Sequence, residues 1–306
     1  MFFNSLVVLS LLLFACTPAP EMREDSGNMT VTVSILPQKY FVDRIGGDLV
    51  DVNVMVGPGE SPHSYEPRAS QMASLSESLV YFSIGVEFED AWMDRISSAN
   101  QDMQIIDLSE GIDRISAPEH SHHEDSHEGS ETGEDHDADE EHQEMEELDP
   151  HIWTSPANGA VIARKIYRTL AEIDPENGQF YKENLDSLLQ DIENLQVEIS
   201  DALKSAGSGK FMVFHPAWGY FAREFGLEQL PVEVGGSEPS AQELAEIISE
   251  AEEEGISVIF AQPEFSTRSA DYIADEIGGR VILISPLAED WLSNLNQVAE
   301  ILSENL

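Results

Sequence analysis

Tyr181, Leu185, Leu188, Ile192, Leu195, Ile199 and Leu203 follow one another at steps of three or four residues without interruption. That spacing is the period of one face of an α-helix. Asp174 and Pro175 read as the start of the helix, and Gly207 and Gly209 end it. The predicted helix occupies 175–206, about 30 residues or ~45 Å at 1.5 Å per residue. An ordinary helix is about a third as long, so the rest of the chain has to be organised around this one.

On its N-terminal side, β-rich runs alternate with helical patterns. "VTVSILP" (31–37), "DVNVMVG" (51–57), "LVYFSIG" (79–85) and "MQIIDLS" (103–109) read as strands, with helices at "ASQMASLSE" and "EDAWMDRISSA". Ser155 and Pro156 mark the cap and first turn of a helix near 156–173. A second series follows the long helix: "KFMVF" (210–214), "LPVEV" (230–234), "ISVIFAQ" (256–262) and "RVILIS" (280–285), each leading into helical sequence. Such alternation specifies parallel sheets covered by helices. The expected fold class is α/β: an N-terminal lobe over 29–174, the linking helix at 175–206 and a C-terminal lobe over 207–306.

One segment breaks the pattern. Residues 119–149 carry 15 carboxylates, no lysine or arginine and almost no apolar residue. Such a stretch cannot offset the entropy of ordering, so it reads as a disordered or metal-ordered loop. It holds six of the nine histidines: His120, His122, His123, His127, His136 and His142. "HEDSH" (123–127) matches the zinc-protease pattern, but that pattern has meaning only on a helix and no apolar period supports one here. "DHDADEE" (135–141) lacks the glycine a calcium loop needs at its sixth position. What remains is weak, adaptable metal contact by these imidazoles, or a solvated spacer.

The whole chain has 15 basic and 59 acidic residues, a net charge of −44, and −29 without the loop. Such a surface excludes a nucleic-acid partner and suits a salt-adapted or otherwise acidic proteome. The single cysteine, Cys16, rules out an intrachain disulfide and any cysteine-based zinc cluster. It ends the short apolar run "LVVLSLLLFAC", which reads as a secretory segment rather than a membrane span. A cysteine there resembles the lipobox of bacterial-type lipoproteins, whose thiol receives a lipid. An ordinary signal peptide with a chance cysteine is the alternative. Both readings place the mature chain outside the cytoplasm, periplasmic or membrane-anchored, with 17–28 as a tether.

Three histidines lie outside the loop. His63 in "GPGESPHSYEP" follows a strand, His151 in "DPHIWTSP" precedes a helix, and His215 in "KFMVFHPAWGYFA" ends a strand. Open α/β sheets bind ligands at the carboxyl ends of their strands. Three imidazoles meeting across a cleft between two lobes would form a zinc site, since imidazole nitrogen suits Zn²⁺ and a tetrahedral ion then needs one more ligand.

"SPHSYEP", an acidic His-rich loop, "DPHIWTSP" and "FHPAWGYFAREFGL", in this order, resemble the metal-binding receptors of zinc and manganese ABC importers, most closely the zinc-uptake branch. The resemblance covers nearly the whole mature chain. It implies two α/β lobes on a rigid helix with the metal in the cleft, and no catalysed reaction. It implies His63 and His151 as ligands. It also implies His215 at the position where manganese-type members often carry Glu. Family members often add a carboxylate after the last strand of the second lobe. Here Ser285 and Pro286 cannot replace it, Glu289 is the candidate fourth ligand, Asp290 is equally suited to cap the final helix, and a water is the alternative. Asp149, Glu66 and Tyr65 are candidates to orient the imidazoles. The implied function is capture of Zn²⁺ as cargo and its delivery to a permease with its ATPase, by a monomer. The competing readings are a manganese receptor, an extracellular zinc hydrolase and a surface adhesin.

Overall fold

The computed structural model describes residues 27–117, 148–204, 209–233 and 237–306. The signal, Cys16, most of the tether and the six histidines of the acidic loop lie outside the described residues.

The N-terminal lobe contains β1 (Met29–Val33), α1 (Leu36–Gly46), β2 (Val50–Val54), α2 (Ala69–Ser74), β3 (Val80–Ser83), α3 (Glu87–Ala99) and β4 (Gln104–Asp107). α4 (Pro156–Ile173) and the long α5 (Gly178–Leu203) follow. The C-terminal lobe contains β5 (Lys210–Val213), α6 (Gly219–Phe225), β6 (Glu228–Pro231), α7 (Ala241–Glu253), β7 (Val258–Ala261), α8 (Arg268–Glu276), β8 (Arg280–Leu283) and α9 (Trp291–Asn305).

Each lobe has a four-stranded sheet, ordered β2-β1-β3-β4 and β6-β5-β7-β8, and every strand pair is parallel. The two sheets therefore share one topology, and both are parallel as the alternating sequence predicts. β3 (VYFS) and β7 (VIFA) are buried throughout, the signature of central parallel strands covered on both faces. The edge strands β4 and β8 are mostly exposed or half-buried.

α4 starts where the sequence places it: Ser155 Oγ accepts the amide of Asn158 and Pro156 occupies the first turn. α5 begins at Gly178, because Pro175–Asn177 form a separate 3₁₀ turn. There Asp174 accepts hydrogen bonds from Asn177 Nδ2 and Tyr181 Oη, both at 2.7 Å. The buried residues of α5 are the seven of the apolar stripe. α1 is an addition to the sequence reading. The strand-like run "VTVSILP" contains its first two residues, with Pro37 in a position where proline is tolerated.

One hydrophobic core runs through the N-terminal lobe, α5 and α9 into the inner face of the second sheet, and includes Phe211, Val213, Val258 and Phe260. Met212, Phe214 and Ile259 alternate with them and join a smaller core with α7 and α8 on the outer face. The lobes are therefore packed on one spine rather than strung on a linker.

Candidate metal centre

All three histidines sit beyond carboxyl ends of strands, or at the entry to α4. His63 lies in the loop after β2, His151 leads into α4, and His215 follows β5. His151 and His215 are each 7% exposed and His63 is half-buried. Their Nε2 atoms face one another: His63 to His215 at 3.0 Å and His215 to His151 at 3.2 Å. One ligand atom from each of the three lies within 4.8 Å of the others, the one such cluster of metal-binding groups among the described residues.

Behind each ring stands a carboxylate. His63 Nδ1 meets Glu87 Oε1 at 2.8 Å, His151 Nδ1 meets Asp149 Oδ1 at 2.8 Å, and His215 Nδ1 meets Glu233 Oε2 at 2.5 Å. An ionised carboxylate only accepts, so each Nδ1 carries the proton and each Nε2 presents its lone pair. Bare lone pairs 3.0 and 3.2 Å apart repel; a cation between them turns that repulsion into bonding. Zinc with Zn–N bonds of about 2.0–2.1 Å sets tetrahedral N···N edges of about 3.3–3.4 Å, close to the separations here.

Burial holds the His215 imidazole below its ordinary pKa, the neighbouring rings push the same way, and Glu233 opposes them. Such a ring stays neutral and able to ligate at physiological pH. Burial pushes Glu87 up, but its hydrogen bond to His63 helps bring it below the usual carboxylate value. Phe265 packs on His63 and His215, with ring centroids at 5.7 and 5.0 Å, and Trp153 lies 5.3 Å from His151. These rings give the imidazoles a partly apolar surround, in which charge interactions are stronger than in water.

The backbone is pinned as well. Gln262, fully buried, accepts from the His215 amide and donates to the His215 carbonyl at 2.7 Å. The His151 segment is tied to the end of the chain: Trp153 Nε1 donates to Pro286 O at 2.7 Å, and Trp291 Nε1 to Trp153 O at 2.6 Å.

The structure brings together His63, His151 and His215 but not Glu289, whose carboxylate is ion-paired with Lys39 at 2.8 Å. Asp290 caps α9 by accepting the Ser293 amide, and Ser285 Oγ donates to Glu264 at 2.5 Å. Of the candidate orienting residues, Asp149 contacts an imidazole. Tyr65 instead donates to Gln71 at 2.5 Å, and Glu66 is exposed. Sequence reasoning missed Glu87, Glu233 and Gln262. An acid in the first turn of a helix, such as Glu87, is ordinary and gives no signal. Glu233 did leave one, as a carboxylate inside the apolar run "LPVEV".

Two parallel α/β lobes on one helical spine, with three imidazoles converging between them, define a two-lobed metal-binding receptor. The chain belongs to the family of the zinc-uptake complex component A periplasmic protein, ZnuA, whose model matches residues 31–305. A solved ZnuA structure is 41% identical with a TM-score of 0.80, covering 91% of this chain and 99% of that one. A ZnuA deletion mutant with zinc bound is likewise 41% identical, with a TM-score of 0.80 and coverages of 91% and 98%. The high-affinity zinc uptake system protein ZnuA of Bacillus subtilis (strain 168) is 28% identical over 84% of this chain and 78% of its own length. The zinc-binding lipoprotein AdcA of Streptococcus pneumoniae (strain ATCC BAA-255 / R6) is 23% identical over 99% of this chain. The match spans 59% of that relative's length.

Proposed function

We propose that the protein captures Zn²⁺ outside the cytoplasm with high affinity and delivers it to an ABC permease powered by a separate ATPase. Zinc is cargo, and no reaction is catalysed. The observation that carries this reading is the convergence of three Nε2 atoms, each ring fixed by its own carboxylate. His63, His151 and His215 are the proposed ligands, with water in the fourth position, since Glu289 is engaged by Lys39. An all-nitrogen set favours Zn²⁺ over Mn²⁺. The names of the zinc-binding and zinc-uptake relatives support the same ion. A hydrolase would need a free general base. The three carboxylates that touch the imidazoles are each engaged by an Nδ1. The working unit is a monomer with an N-terminal lobe, a linking helix and a C-terminal lobe, and the loop imidazoles make weak accessory metal contacts.

The test compares two variants. A metal that binds only the folded chain stabilises it by RT ln(1 + [L]/Kd), ~4 kcal/mol at a thousandfold excess over Kd. Deletion of 120–142 should keep a large zinc-induced rise in Tm, and His215→Ala should lose most of it. The rise should fade below about pH 6, as imidazoles protonate. The opposite pattern, with the shift lost on loop deletion and kept in His215→Ala, places the tight site in the loop. We further propose that Cys16 carries a lipid anchor. The native protein should then partition with membranes, and Cys16→Ala should abolish this; a variant that is processed and localised normally refutes the anchor.

A further inference from the structure

The three imidazole–carboxylate pairs differ in how the carboxylate is held. Asp149 is 1% exposed. Its Oδ1 is committed to His151, accepting both the ring Nδ1–H and the backbone amide at 2.8 Å. Its Oδ2 is buried and has no hydrogen-bond partner. Gly219 of the other lobe lies beside Oδ2. A Cβ on Gly219, the first residue of α6, would lie 2.9 Å from Asp149 Oδ2 and 2.9 Å from Ile115 Cδ1. The next residue holds the same segment by its backbone. Tyr220 Oη donates to Asp149 O at 2.8 Å and accepts the Ile115 amide at 3.3 Å, while the Asp149 amide donates to Ile115 O at 2.9 Å.

We infer that Gly219 and Tyr220 are positioning residues for His151: the C-terminal lobe sets the aim of this imidazole by giving Asp149 a seat only a residue without a side chain can provide. The inference rests on the proposed zinc site. Ile115 can rotate its terminal methyl out of reach of a Cβ. Asp149 cannot turn away without breaking both bonds to His151, so a methyl group at 219 is transmitted to the ring. α6 follows closely on His215 in the chain. One short segment thus carries one ligand and positions another, and the distance between the lobes enters directly into the geometry of coordination. Gly219 has no positive φ, and alanine favours helix over glycine. A loss in Gly219→Ala therefore cannot come from the local backbone conformation.

The experiment measures zinc affinity of the full chain by competition with a chelating dye, alongside imidazole NMR and melting of the metal-free protein. Gly219→Ala should bind zinc about 10–100-fold more weakly, the usual cost of disturbing a ligand's orienting partner. It should also shift or lose the His151 Nδ1–H signal while the metal-free Tm stays near wild type. Tyr220→Phe should weaken binding in the same direction. Wild-type affinity in Gly219→Ala overturns the inference, as does its recovery in Gly219→Ala/Ile115→Val, which would make Ile115 the residue that responds. If Gly219→Ala does not fold, unchanged affinity in Tyr220→Phe overturns it equally. His215→Ala in parallel separates the two levels. If it too binds zinc normally, the site reading fails; if it alone loses affinity, only the positioning role fails.

Discussion

Glu89 is a buried carboxylate two residues beyond Glu87, in the first turn of α3. It accepts the amides of Ile84 and Gly85 at 3.0 and 2.7 Å and the hydroxyl of Ser34, which also bonds Tyr81 Oη at 2.8 Å. These bonds fix the turn between β3 and α3, and so the place of Glu87 behind His63. Burial nevertheless pushes Glu89 up to about 7 from an ordinary value of 4.5. The folded chain thus holds a proton that the unfolded chain has already released above about pH 4.5. Its contribution to stability is complete below that pH and is lost as pH rises through 7. A shift of this size amounts to about 3 kcal/mol. Glu89→Gln should remove that slope: relative to wild type, the metal-free variant should gain stability between pH 5 and 8 in chemical denaturation. An equal difference at both values refutes the assignment. At this scale the sequence was readable only in part. The three converging histidines stood out because they lie outside the loop, at the ends of strands or the entry to a helix. Glu87 and Glu233 did not, because their partners are 24 and 18 residues away in sequence and no local period encodes such pairings.

The legible elements are those whose burial follows a simple period. The seven apolar residues of α5 could be read off directly, as could the cap of α4, because both are local consequences of helix geometry. β6 and α1 were harder. β6 is Glu228–Pro231, not "LPVEV", since pairing with β5 selects the register and an edge strand needs little apolar content. α1 was masked by a strand-like run at its start. α5 has a mechanical role: at 26 residues it spans ~39 Å, and its apolar stripe lies in the core that both lobes share. Hinge motion would tear that core, so zinc should close the cleft by local adjustment. Labels at Ser98→Cys on α3 and Glu250→Cys on α7, in a Cys16→Ser background, should move by no more than about 1–2 Å on zinc binding. A distance change of domain-closure size would show that the spine bends.

The whole molecule combines two sheets of identical strand order, their carboxyl-end loops meeting at one point, inside a surface with a net charge of −44. The sheets explain where the site is. The carboxyl ends of β2, β3, β5 and β6 are followed by His63, Glu87, His215 and Glu233. The surface explains nothing about ligand choice, but it bears on how the molecule can be handled. Its proposed ligands are imidazoles alone, which give up metal when acid protonates them. The chain as a whole is not isoelectric until about pH 4.1. Acid at about pH 5 should therefore strip the site while the protein keeps its anionic repulsion. A metal-free preparation can be made on an anion exchanger, without chelator and without crossing the point of least solubility.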